Sequence, residues 1–177
     1  MKTLLNKTAL ALLLTATANL ALAQVAPQVV DIPLSRPGET ANVEIEILSA
    51  KIEVIGEDRQ DASFEVTVVD GERRIVTPSG TQSLKTGAYS VQVEERDNNI
   101  SVDTDWRANK VAMLARVPRN SNLDLATVNN GEIIVSNIDG KLVLGNVNGP
   151  ITATNINGSV IAESVNDDIT VSFSGIT

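Results

Sequence analysis

Residues 130–168 read NGEIIVSNIDGKLVLGNVNGPITATNINGSVIAESVNDD. The turn-forming pairs Asn130-Gly131, Asp139-Gly140, Asn148-Gly149, Asn157-Gly158 and Asn166-Asp167 fall nine positions apart. A fixed period of this length points to stacked units that share one core. The apolar residues keep phase with the turns: Ile133, Val135 and Ile138, then Leu142, Leu144 and Val147, then Ile151, Ala153 and Ile156, then Val160, Ala162 and Val165. A last unit begins with Ile169 and Val171 and changes character at Phe173.

Two folds compete for this pattern. Asn-Gly between alternating apolar residues is a strong hairpin signal, which would make an antiparallel meander. In a flat strand, however, inward residues keep even spacing, because a slip of one residue swaps faces. The step from Val135 to Ile138 is three residues, and so is its counterpart in each unit. A corner between them, at the small polar residues Asn137, Asn146, Asn155 and Ser164, returns the third apolar residue to the interior. That favours an all-β solenoid, a single-stranded β-helix with nine-residue half-coils over 129–174. The alternation Ile138, Val147, Ile156, Val165 adds an eighteen-residue rhythm, as two half-coils per turn would give. The units must stack. Three buried aliphatics contribute about 1.5–3 kcal/mol each, and ordering nine residues costs about 1–2 kcal/mol each. The turn glycines are read as tolerating positive φ, with the Asn residues doing so better than most.

Upstream, residues 29–128 continue the same β domain. Period-2 alternation marks Val43–Ile47, Lys51–Ile55, Ser63–Val68, Ser90–Glu94, Ile100–Val102 and Val111–Val117 as strands. Turn residues separate them, among them Asp97-Asn98-Asn99. Residues 71–87 lack a pattern and read as a long exposed loop. Residues 1–23 carry Lys2 and Lys7, an apolar run and Ala21-Leu22-Ala23, the layout of a secretory signal peptide cut before Gln24. The run is too short to span about 30 Å of hydrocarbon. No transmembrane segment follows it, and 24–28 reads as a flexible lead. The expected location is the periplasm or cell surface of a bacterium.

Removing Lys2 and Lys7 from fourteen basic residues leaves twelve against twenty-two acidic ones, a net charge of −10. Such a surface repels phosphate backbones and anionic headgroups, so nucleic acid is not an expected partner. There is no Cys and no His. That excludes a disulfide framework, thiolate or imidazole zinc sites, a Ser-His-Asp triad and a thiolate nucleophile.

Several stretches resemble the "putative adhesin" family of bacterial β-strand-repeat proteins, which are domains of unknown function. They are Val117-Pro118-Arg119-Asn120-Ser121-Asn122-Leu123-Asp124-Leu125, Thr127–Ile133, Asn146–Ile151, Ser164–Val171 and an earlier copy at 49–56. The resemblance covers most of the chain after residue 23. It implies a right-handed β-helix-like fold, export and no known catalytic residues. Family members continue beyond the point where this chain stops, so the last coil is expected to be uncapped, either as a fragment or as an end open to end-to-end association.

The remaining chemistry is sparse. Carboxylates close in sequence are Glu44 with Glu46, Glu94 with Glu95, Asp103 with Asp105, and Asp167 with Asp168. They are expected on the wet faces of strands and turns, although an acid pair is also what a glycoside hydrolase needs. A nine-residue period is shared with calcium-binding repeats, but no aspartate recurs in phase here, and neither metal nor cofactor is expected. Trp106, Arg107 and Lys110 form a basic stretch with an aromatic, able to stack on a sugar or meet an anionic polymer. Asn130, Gly131, Asp139, Gly140, Asn148, Gly149, Asn157 and Gly158 are read as structural turns. The expected function is that of an exported, non-enzymatic, adhesin-like interaction module whose partner is a protein or surface polymer. The alternatives are a carboxylate-dependent carbohydrate-active solenoid, and a periplasmic assembly or signalling accessory.

Overall fold

A computed structural model describes residues 28–68, 82–86, 89–104, 111–129 and 131–175. Residues 1–27, with the signal-peptide segment, lie outside these, as do Asp105, Trp106, Arg107, Lys110 and Asn130. The described elements are all strands: β1 (Gln28–Pro33), β2 (Ala41–Ile47), β3 (Ala50–Glu57), β4 (Asp61–Val68), β5 (Gln82–Thr86), β6 (Tyr89–Arg96) and β7 (Asn99–Thr104). They continue with β8 (Val111–Pro118), β9 (Ser121–Thr127), β10 (Ile133–Ser136), β11 (Lys141–Asn146), β12 (Ile151–Ile156), β13 (Ser159–Ser164) and β14 (Ile169–Phe173). Two seven-stranded mixed sheets result. Sheet A runs β1-β4-β8-β3-β10-β12-β14, and sheet B runs β13-β11-β9-β2-β7-β6-β5.

In both sheets one end is antiparallel and the rest parallel. β1, β4 and β8 pair antiparallel in sheet A, as do β5, β6 and β7 in sheet B. From β8 through β14, and from β7 through β13, every neighbouring pair is parallel. Over the repeats this excludes the antiparallel meander. Consecutive units alternate between the sheets, and each strand pairs with the one eighteen residues on: Ile133 with Ile151, Ile151 with Ile169, and Leu142 with Val160. Inward residues of the two sheets meet in one apolar cluster. Ile45, Ile52, Phe64, Leu125, Ile133, Leu142 and Ile151 are all buried in it. Strict alternation, as in β2 with its buried–exposed sequence over Ala41–Ile47, puts Val43 and Ile45 inside and Glu44 and Glu46 in water.

The repeat has two corners, and they differ. On leaving sheet A, Asn137 and Asn155 adopt positive φ, 60° and 55°. The αL residue breaks the alternation, and Ile138 and Ile156 return to full burial. On leaving sheet B there is no such break. Asn146 keeps the strand phase, turns inward at 4% exposure and donates from Nδ2 to the Gly131 carbonyl at 3.0 Å. Thr127 and Ser164 hold the same register position and do the same, donating to the Ala50 and Gly149 carbonyls. The third apolar residue is therefore left outside. Val165 is 72% exposed and Val147 is partly exposed. The expectation of one corner common to all units is corrected accordingly. The Ile–Val rhythm follows from it: Ile where the residue is buried, Val where it is not.

The turn glycines also have a different cause from the one expected. Gly131, Gly140 and Gly149 do not have positive φ. Neighbouring backbone segments approach so closely at these points that a Cβ on Gly149 would collide with the Gly131 carbonyl, one on Gly131 with the Ala50 carbonyl, and one on Gly140 with that of Ser121. Gly158, at φ 156°, sits against the Gly140 carbonyl in the same way.

One further correction concerns 71–87. Residues 82–86 are not loop but β5, an edge strand paired with β6 from Gln82↔Val93 to Thr86↔Tyr89. Its five residues are too short for alternation to stand out from the Ser- and Thr-rich surroundings. At the other end of the sheets, β13 and β14 are edge strands, and Ile161, Val165, Ile169 and Phe173 on and beside them are exposed.

Candidate interaction face

Because side chains alternate, the outward residues of sheet B line up across strands in rows. One row runs Arg96, Asn99, Asn42 and Asn122. Its three asparagines form a hydrogen-bonded ladder. Asn42 Nδ2 donates to Asn99 Oδ1 at 3.0 Å, and Asn122 Nδ2 donates to Asn42 Oδ1 at 2.9 Å. Asn122 Oδ1 in turn accepts from the Lys141 backbone N–H at 3.0 Å. The next row runs Glu94, Ser101, Glu44, Asp124, Val143 and Ile161. Together the two rows, the second as far as Val143, floor an open trough of about 590 Å³. Arg96 and Lys141 lie along its amide side, and Glu94, Glu44 and Asp124 lie along the other.

Arg96 and Lys141 share this face with its acids, but none of those acids is drawn into an ion pair among the described residues. On sheet A, Arg116 reaches Glu57 at 3.5 Å and Glu65 at 3.7 Å, and Arg59 reaches Asp61 at 2.9 Å and Glu57 at 3.5 Å. Lys51 reaches Glu132 at 3.4 Å and Glu53 at 3.9 Å. Among the described residues, Glu44, Glu46, Glu94, Asp103 and Asp124 on sheet B take part in no such pair. Isolated carboxylates on an open face keep their full field for an incoming partner.

Behind one end of the trough, Glu95 belongs to the scaffold. Its Oε1 accepts from the Ser35 and Asn98 backbone N–H groups at 3.0 and 2.9 Å, and its Oε2 accepts from the Ser35 hydroxyl at 2.9 Å. Burial alone would raise its pKa, but these hydrogen bonds and the nearby Arg36 charge outweigh it and hold the carboxyl below its ordinary value. Asn98 is buried and exchanges two hydrogen bonds of 2.7 Å with the Arg36 backbone. Asp97 and Asn98, at φ 53° and 62°, make the two-residue turn between β6 and β7. Elsewhere, the hydrogen bond from the Arg59 side chain lowers the pKa of Asp61, against a smaller effect of burial.

Of the candidate acids, Glu44 and Glu46 share the outer face of β2, Glu94 lies in the trough, and Glu95 serves the turn. Asp167 and Asp168 are exposed beyond β13 and do not line the trough. Asp103 faces outward on β7, and Asp105 is outside the described residues, as are Trp106, Arg107 and Lys110. No group of three or more His, Cys, Asp or Glu able to hold a metal occurs among the described residues, nor does a helix long and apolar enough to cross a membrane. The structure adds Asn42, Asn99, Ser101, Asn122, Asp124 and Lys141 to the candidate face. Alternation marks most of them as outward, but the sequence holds no sign that strands from 41–47, 99–104 and 121–127 become neighbours.

No family model and no curated protein matches the chain. Among solved structures, it is similar to a "putative cell adhesion protein" from Clostridium sporogenes, at 8% identity and a TM-score of 0.46, over 82% of this chain and 99% of that one. A likeness at that level carries no argument for fold or function.

Proposed function

We propose that this chain is an exported, non-enzymatic β-solenoid that serves as an adhesin-like interaction module at the cell envelope or surface, and that it docks its partner on the outer face of sheet B. The eighteen-residue parallel register supports a winding chain, and its crossovers are taken as right-handed, the sense that nearly all parallel connections adopt. The observation that supports the docking face is the contrast in ion pairing: on sheet A the acids Glu53, Glu57, Asp61, Glu65 and Glu132 are paired and Asp31 is not, whereas Glu44, Glu94 and Asp124 over the trough on sheet B are all unpaired among the described residues. The complementary partner is a protein or surface polymer presenting cationic groups or hydroxyls in an extended array.

The test compares two variant sets for binding to isolated cell envelopes. Glu44→Gln, Glu94→Gln and Asp124→Asn together should weaken binding about tenfold or more, the scale of losing about 1.4 kcal/mol. Glu53→Gln with Glu65→Gln should leave it within about twofold. Equal losses in the two sets would remove sheet B as the docking face. The export part fails if the full-length chain, with residues 1–23 intact, is recovered from the cytosol.

A second reading has one observation in its favour. Glu44 and Asp124 are direct neighbours on adjacent parallel strands, and strands lie about 4.8 Å apart, close to the carboxyl spacing of retaining glycosidases. It predicts cleavage of a polysaccharide that Glu44→Gln abolishes without loss of binding. An intact polymer after incubation with the wild-type chain discards it.

A further inference from the structure

The three Asn-Gly pairs of the repeat share the dipeptide and differ in their flanking residues, and the structure holds the amides of the two described ones differently. Asn148 is fixed at both ends of its carboxamide. Its Nδ2 donates to the Val128 carbonyl at 3.1 Å, and its Oδ1 accepts from Asn166 Nδ2 at 2.7 Å. Asn157 is exposed, and among the described residues its side chain has no hydrogen bond; only its backbone N–H is used, donating to the Ile138 carbonyl at 2.9 Å. The residue one coil on from Asn148 is Asn166, which supplies the second bond. Beyond Asn157 the pairing slips by one residue, Ile156 facing Phe173, so the next strand brings up Ser174, whose hydroxyl donates to the Ile156 carbonyl at 3.3 Å and not to Asn157.

We infer that Asn157 is a site of spontaneous, position-selective deamidation, and that the amide ladder protects Asn148 from the same reaction. The Gly158 backbone nitrogen attacks the Asn157 side-chain carboxamide carbon. A C–N bond forms, the ring closes to a five-membered succinimide, and the amide nitrogen leaves as ammonia with the proton of the attacking N–H. One water molecule then opens the ring. Attack at the former side-chain carbonyl gives aspartate, and attack at the backbone carbonyl gives isoaspartate. The reaction therefore consumes water and releases ammonia, with no change of oxidation state. Glycine at the following position removes the Cβ that would hinder the approach. What remains to decide the rate is whether the carboxamide is free to rotate toward that nitrogen.

The products matter for the fold. Each adds a negative charge to an already acidic chain. Isoaspartate also lengthens the backbone at a turn where Gly158 lies against the Gly140 carbonyl, so the coil carrying β13 should loosen first.

The experiment incubates the native chain in warm, mildly alkaline buffer and follows aspartate and isoaspartate at each pair by peptide mapping, with a parallel sample in denaturant. In denaturant the two pairs, which share glycine at the following position, should convert within about twofold of one another. In the folded chain Asn157 should convert about tenfold faster than Asn148, because local order restrains only the latter. Asn166→Ala, which takes away one of the two bonds on Asn148, should narrow that gap severalfold. Equal native rates, or Asn148 converting first, would overturn the inference. So would a gap that Asn166→Ala leaves unchanged while circular dichroism shows the variant folded.

Discussion

The corner leaving sheet A and the corner leaving sheet B are built from almost the same residues: a small polar residue, an aliphatic one, and Asx-Gly. At the first, Asn137 spends a strained backbone conformation to bring Ile138 inside. At the second, Asn146 takes the interior position itself, its Nδ2 donating to the Gly131 carbonyl while its buried Oδ1 accepts no hydrogen bond among the described residues, and Val147 is left at the surface. The difference teaches that polarity before a turn has two uses, as an αL residue or as a buried hydrogen-bond donor. Only the three-dimensional partner decides which.

The comparison can be broken most severely where the corners agree, at the glycines. Gly149→Val puts a branched side chain into the Gly131 carbonyl. It should cost about 3 kcal/mol or more, the scale of overpacking at a site that cannot relax, read from the urea midpoint. Gly145→Ala, on the strand of the same unit with open space around it, should change stability by less than about 1 kcal/mol. A benign Gly149→Val would mean that the coils are not in close contact.

The two aliphatic positions sharpen the comparison next. Ile138→Ala should cost about 2–5 kcal/mol, as for a fully buried side chain. Val147→Ala should cost under about 1 kcal/mol, being partly exposed. Thermal unfolding measured on both distinguishes alternate corners from identical ones, because identical corners predict similar losses.

Much of this was legible from residues 130–168 alone. The period, the turns, the all-β class and the inward phase of Ile133, Leu142 and Ile151 all follow from spacing. The fate of the third aliphatic was not, because it depends on whether the polar residue takes positive φ, as Asn137 does, or finds a carbonyl of an earlier unit, as Asn146 does. The cause of the turn glycines was hidden for the same reason, since Gly149 is crowded by a backbone atom eighteen residues earlier, not by its own dihedrals. The candidate face was half legible. Alternation places Glu44 and Glu46 in water, but the neutralisation of Glu132 by Lys51 and of Glu57 by Arg116 joins segments far apart in sequence.

The polar residues give smaller losses than the crowded glycine and the buried isoleucine. Asn146→Ala leaves the Gly131 carbonyl buried without its donor and should cost about 1–3 kcal/mol. Asn137→Ala loses a tolerant αL residue and the bond from Asn155, and should cost about 1–2 kcal/mol. Asn137→Gly separates the two contributions, because it restores the conformation without the ladder. If Asn137→Gly is as unstable as Asn137→Ala, the strain at the first corner has been overstated.

The alternation of units between the two sheets has a consequence for how such a chain can change length. Deleting or duplicating eighteen residues removes or adds a whole layer and leaves every surviving partner in place. A nine-residue change exchanges the roles of the sheets downstream, asking Asn146 to behave as Asn137 and exposing one set of isoleucines for each set of valines buried. Viable relatives of this protein should therefore differ in even numbers of repeats.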